Sequence, residues 1–156
     1  MDKIKNVVTK CLIVFALISI GFAMGKHSGK SAVQPVSLLP SDGHVVAVYY
    51  LHSTFRCVTC NTIEKLTRDL LDNAYGKELA EGKVHWIEAD FQENQALARQ
   101  FEIVASCVVV AEVKDGAVVG YQRLDEVWTL MSDAEAFNRY ISSAIDECLQ
   151  KTGGQS

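Results

Sequence analysis

Two cysteines separated by two residues, in Phe55-Arg56-Cys57-Val58-Thr59-Cys60, stand between a strand-like apolar run and a helical pattern. No other stretch constrains the fold as much. The run before it, Val45-Val46-Ala47-Val48-Tyr49-Tyr50, has the β-branched and aromatic content of a buried strand. After it, Ile63, Leu66, Leu70 and Leu71 recur at helical spacing, which predicts a helix over 60–74. Two thiols on the first turn of a helix can close a tight disulfide ring. The unpaired N–H groups and partial positive charge at the helix start favour the thiolate of the first cysteine. The leading expectation is therefore redox chemistry at Cys57 and Cys60. The strand–CxxC–helix context carries more weight than the spacing alone.

Two other chemistries use the same residues. A structural zinc site needs two further Cys or His ligands at closed-site spacing. Cys107 lies in an apolar strand-like run and Cys148 near the end of a helix, and neither has a paired partner in sequence. A thiolate metal site is one alternative, and an inert structural disulfide is the other. Cys11 falls in an apolar segment near the N-terminus, which leaves four cysteines and three possible pairings. Spacing supports only Cys57 with Cys60.

That apolar segment, CLIVFALISIGFAM over residues 11–24, has no charge and follows Lys3, Lys5 and Lys10. Its fourteen residues are fewer than the roughly 20 that span a bilayer. With Lys10 snorkelling, residues 7–25 reach far enough. Residues 1–26 are read as a signal or a membrane anchor, so the following domain faces the periplasmic or extracytoplasmic side. Residues 1–30 carry five Lys and one Asp, and the whole chain is −4, which leaves −8 for the remainder. An acidic domain without a basic patch excludes nucleic acid as a partner.

Residues 27–43 are rich in Ser, Gly, Pro and Gln and read as a tether. A domain is expected over 44–150, with a disordered tail at 151–156. Strands are expected over 45–50, 84–89, 107–113 and 117–123, the last two forming a hairpin around Lys114-Asp115-Gly116. Helices are expected over 60–74, 93–101 and 132–149, the last capped by Ser132 with Glu135 as its box partner. The order is βαβαββα. Two crossover helices predict parallel strands, and the hairpin adds an antiparallel pair. The dithiol then follows the C-terminal end of the first strand, where chemistry gathers in open α/β sheets.

This order, with CVTC between the first strand and the first helix, resembles the thioredoxin fold, an α/β three-layer architecture, over roughly residues 44–149. Within that superfamily, residues 49–64 (YYLHSTFRCVTCNTIE) resemble the small thioredoxin-like proteins named as the nitrophenyl compound nitroreductase subunit ArsF family. The resemblance implies that Cys57 is the nucleophile and Cys60 the resolving thiol. It also locates departures. Leu51 stands where thioredoxins carry a buried acid, Thr59 where proline is frequent, and Arg56 where tryptophan is frequent. Cys107 falls where the fold keeps a cis-proline beside the dithiol.

Three auxiliary residues follow. Arg56 beside Cys57 is expected to favour the thiolate. His52 is placed to assist proton transfer, and Cys107 to supply a third sulfur. Glu112 interrupts an apolar strand, as an edge charge or as a replacement for the missing acid. No phosphate loop, hydrolytic triad or flavin site is legible, so no cofactor is expected, and a nitroreductase activity would need a flavin-bearing partner. The expected function is an exported or membrane-tethered thiol–disulfide oxidoreductase. Its partners would be protein thiols or disulfides, or an upstream membrane electron donor. The alternatives are a soft-metal or metalloid module and an accessory subunit of a redox complex.

Overall fold

The structure, a computed structural model, describes residues 39–40 and 42–153. The expected anchor over 1–26, most of the tether over 27–43 and the end of the tail lie outside the described residues. Among the described residues no helix is long and apolar enough to cross a membrane.

Strand β1 (His44–His52) is followed by α1 (Val58–Ala74), α2 (Gly76–Ala80) and β2 (Val84–Asp90). Then come α3 (Gln95–Gln100), β3 (Cys107–Lys114), β4 (Ala117–Leu124), α4 (Val127–Leu130) and α5 (Ala134–Gly153). The strands form one sheet in the order β2-β1-β3-β4. β1 and β2 run parallel, with Tyr50 opposite Glu88. β3 runs antiparallel to β1, with Leu51 opposite Cys107, and β4 antiparallel to β3.

The parallel return expected from both crossovers holds for α1 and fails for α3. Six residues of α3 advance the chain about 9 Å, whereas the eight residues of β3 span about 26 Å. A helix this short does not span the length of the sheet. The chain re-enters at the end where β2 finished, and β3 runs the other way. Helices α2 and α4 were not anticipated. α2 buries no residue and α4 has only four, too few to show a helical period.

Alternation along the strands sorts the side chains onto two faces. Val46, Val48 and Tyr50 of β1 join Val108 and Val110 of β3 in a core with Ile63, Leu70 and Leu71 of α1 and Phe137, Ile141 and Ile145 of α5. On the other face Tyr49 packs its ring against Phe101, at the end of α3, with centroids 5.0 Å apart. Helices therefore cover both faces of a mixed sheet, the layering that the thioredoxin resemblance implies. Each fully buried Val, Leu or Ile side chain contributes roughly 1.5–3 kcal/mol against the entropy of ordering the chain.

Two local details differ from the sequence reading. The cap of α5 is Asp133, whose Oδ1 accepts the Ala136 N–H at 3.0 Å, and not Ser132. A carboxylate at that position also meets the positive end of the helix dipole. The helix then continues through Lys151, which pairs with Glu147 one turn earlier at 2.8 Å.

The β3–β4 hairpin closes on two left-handed residues, Asp115 (φ 49°) and Gly116 (φ 76°), the backbone of a twist-matched two-residue turn. The Asp115 N–H donates to the Gly43 carbonyl at 2.8 Å, which ties the turn to the start of β1. Gly116→Ala places a Cβ in that left-handed region, and a loss of about 1–2 kcal/mol is expected in urea unfolding. An unchanged midpoint would show that the turn relaxes without strain.

Candidate active site: a dithiol at the head of a helix

The helix after β1 starts at Val58, two residues earlier than the apolar periodicity suggests, and Cys57 is its N-cap. The Cys57 backbone is extended (φ −98°, ψ 164°), and its Sγ accepts the Cys60 N–H at 3.1 Å. A sulfur thus stands where a capping oxygen normally satisfies an orphan helix donor. Cys57 and Cys60 are joined as a disulfide, with Cα atoms 5.1 Å apart. Cys60 is 4% exposed and Cys57 is half-buried. On either side of Cys57 the side chains of Phe55 (81% exposed) and Val58 (84%) project into solvent.

Counting six residues back from Cys57 gives Leu51, but the side chain that reaches the dithiol turn is that of Tyr50. Its hydroxyl donates to the Cys60 carbonyl at 2.6 Å. Leu51 belongs to the opposite sheet face, with Tyr49's neighbours. Burial pushes the Tyr50 phenol up to about 12; Arg56 opposes this and the Glu64 and Glu88 carboxylates add to it. The hydroxyl therefore stays protonated and acts as a donor. Its ring stacks on Trp86 at 6.3 Å, nearly parallel. Strand alternation carried this signal, because residue 50 shares a face with Val46 and Val48.

Arg56 is not a free cation beside Cys57. It makes ion pairs with Glu64 of α1 and with Glu88 of β2, the latter at 2.8 Å. Arg68 of α1 reaches the other Glu88 oxygen at 3.0 Å and Glu64 at 3.4 Å. His52 turns one ring nitrogen to the Ser53 carbonyl at 2.9 Å and the other to Glu88 at 3.5 Å. The Arg56 guanidinium lies 5.7 Å from the Tyr50 ring centre. Sequence reasoning named Arg56 and His52 but missed Glu64, Glu88 and Arg68. Only the register that sets Glu88 beside Tyr50 brings them together.

Burial works to raise the Glu88 carboxyl, but hydrogen bonds from Arg56 and Arg68, with the charges of both, outweigh it. Its value in the fold lies below the ordinary 4.5. A depressed carboxyl stabilises the fold above its unfolded value, and that contribution is lost as pH falls through 4.5 and on through the folded value. Comparing Glu88→Gln with the parent by urea unfolding from pH 7 to pH 3 should give a stability gap that closes across this window. A gap that is constant with pH would remove Glu88 from the acid response.

Cys107, Cys148 and Glu112 remain. Cys107 is 2% exposed, opens β3 opposite Leu51, and shares the face turned away from α1. Burial pushes its thiol up to about 12, with Asp125 adding and Arg123 opposing. Such a thiol is expected to resist alkylation in the folded reduced protein and to label only after unfolding, as read by peptide mass. Labelling at the rate of Cys57 would contradict that placement. Cys148 is likewise buried and raised by burial. Among the described residues no three His, Cys, Asp or Glu side chains are grouped to hold a metal ion. Glu112 is on a central strand, not an edge. It bonds His44 Nε2 at 2.7 Å, at the end of β1 remote from the dithiol, and so does not replace the missing acid.

The chain is similar in structure to several thioredoxins. Mitochondrial thioredoxin 3 of Saccharomyces cerevisiae in its oxidised form matches at 18% identity and TM-score 0.40, over 65% of this chain and 77% of that one. The Trx4 domain of ERdj5 matches at 13% and 0.44, over 66% and 82%. The Fasciola hepatica thioredoxin matches at 19% and 0.38, over 64% and 84%. No family model matches the chain and no curated protein matches it, so the narrower ArsF-type resemblance of residues 49–64 finds no support. At these scores the fold is carried by the strand order and helix placement described above.

Proposed function

We propose that this protein is a thiol–disulfide oxidoreductase that acts through Cys57 and Cys60, tethered to or exported across a membrane by residues 1–26. The observation that carries the reading is the capping of α1 by the Cys57 sulfur, within disulfide reach of a buried Cys60. A negative sulfur there gains the Cys60 N–H and the helix dipole, which makes it the better leaving group and the more available nucleophile.

In the reductive direction, the Cys57 thiolate attacks one sulfur of a client disulfide. One client sulfur leaves as thiolate and takes up a proton. The deprotonated Cys60 then attacks Cys57 Sγ, releases the second client thiolate and leaves the Cys57–Cys60 disulfide. Two electrons pass to the client, and an upstream dithiol must return them. With an oxidising partner the same steps run in reverse. The exposed Phe55 and Val58, with Val104 (91% exposed) in the loop that Ser106 ties to Ser53, suit a polypeptide client with apolar side chains.

Equilibrating the full chain with glutathione buffers and counting free thiols by mass tests the reading. A two-electron transition confined to Cys57 and Cys60 is expected. A disulfide that neither opens nor exchanges below the potential of strong reductants would make it structural. Tethering is tested separately by a reporter fused after Ser156: activity only in the cytoplasm would overturn it, and a mature N-terminus near Lys26 would replace the anchor by a cleaved signal.

A further inference from the structure

Arg56 immediately precedes the nucleophile in sequence, and a lone guanidinium there would favour its thiolate. The structure surrounds it instead. Glu64 holds one terminal nitrogen and Glu88 the other, from α1 and β2 respectively. Arg68 braces both carboxylates from the next turn of α1, and His52 faces Glu88 from the end of β1. Tyr50, beneath Arg56, links the cluster to the Cys60 carbonyl. The segment 53–57 is thereby fastened at Arg56 to two different elements. It is fastened at its other end by the Ser53 N–H, which donates to Ser106 Oγ at 3.3 Å.

We propose that Glu64 and Glu88 are positioning residues for the Cys57 nucleophile, clamping Arg56 so that its charge is directed to them and the loop carrying Cys57 is held in place. The proposal rests on the dithiol reading above and adds a sign to it. The clamp keeps Cys57 a moderate thiol rather than a strongly acidic one. The side chains facing Arg56 and its carboxylates are those already named: Tyr50 and His52 from β1, Glu64 and Arg68 from α1, and Glu88 from β2. Half-buried ion pairs are less screened than exposed ones, so removing one partner leaves a net charge that the thiolate can sense.

The two halves of the clamp should act with opposite signs. Glu64→Gln leaves Arg56 with one carboxylate fewer, and the Cys57 titration midpoint should fall by about half a unit to one unit. Stabilising the reduced form makes the dithiol more oxidising, and a tenfold change in its equilibrium corresponds to about 30 mV. Arg56→Gln leaves the carboxylates in excess, and the midpoint should rise by a similar amount. The double variant Arg56→Gln/Glu64→Gln restores the balance and should return towards the parent. A purely structural clamp would loosen the loop in every variant and move both single variants the same way.

The experiment measures iodoacetamide alkylation of Cys57 against pH in the full reduced chain, with peptide-mass readout. The reduction potential is measured on the same samples, and circular dichroism checks that each variant is folded. Glu88→Gln serves as a second carboxylate variant should Glu64→Gln not fold. Opposite shifts with compensation in the double variant support the clamp. Shifts of one sign, or none, overturn it while leaving the dithiol reading intact. If the parent fails to exchange with glutathione, that reading fails, but the alkylation profile still reports whether Glu64 and Arg56 act with opposite signs.

Discussion

In the Cys57→Ser variant, reduction of a small-molecule disulfide should fall to background, a loss of at least roughly a thousandfold. A hydroxyl cannot form the mixed disulfide. Nor can the remaining motif sulfur take over, because Cys60 is 4% exposed behind the first turn of α1. Cys60→Ser should fail at a different step. The first attack proceeds, and the Cys57–client disulfide accumulates because nothing within reach releases it. Trapped mixed disulfide on non-reducing gels, confirmed by peptide mass, distinguishes the two variants. The assignment of roles would be wrong if an alkylating reagent labelled Cys60 before Cys57 in the reduced protein. Capping geometry makes that outcome unexpected, since the Cys60 N–H points at Cys57 and not the reverse.

The same capping geometry explains which parts of this site are legible in the sequence. Local features are. The apolar run of β1, the helical spacing of Ile63, Leu70 and Leu71, and the Asp115-Gly116 turn each reflect interactions among neighbours in the chain. The pairing of Cys57 with Cys60 belongs to that group. Features set by register do not. Glu88 comes to Arg56 only because β2 lies parallel to β1 with Tyr50 opposite it, thirty-two residues away from Arg56 in sequence. Counting six residues back from Cys57 gives Leu51, whereas the alternation of β1 sends Leu51 to one face and Tyr50 to the face that α1 covers. The expectation that Arg56 activates Cys57 treated a cation by its place in sequence. In the fold, that cation is paired with the Glu64 and Glu88 carboxylates. The proline analogy sets Cys107 beside the site in sequence, and strand parity turns its side chain to the face that Leu51 shares.

Tyr50 joins the core to the dithiol, and its ring and its hydroxyl should have separable effects. The residue is fully buried, its ring stacks on Trp86, and its hydroxyl donates to the Cys60 carbonyl. Tyr50→Ala removes the ring from a packed centre between β1, α1 and β2. The lost burial and the cavity together should cost about 3–5 kcal/mol. Tyr50→Phe keeps the ring and removes one hydrogen bond, so about 0.5–1.5 kcal/mol is expected. Urea unfolding of the oxidised proteins measures both, with the Cys57–Cys60 bond closed in each so that it cancels from the comparison. Equal losses in the two variants would assign the stabilisation to the hydroxyl and refute the packing account. The expected inequality has a consequence for the site. Tyr50→Phe should fold well enough for its dithiol to be titrated, and any change in the Cys57 profile then reports the hydrogen bond to the Cys60 turn rather than a loosened core.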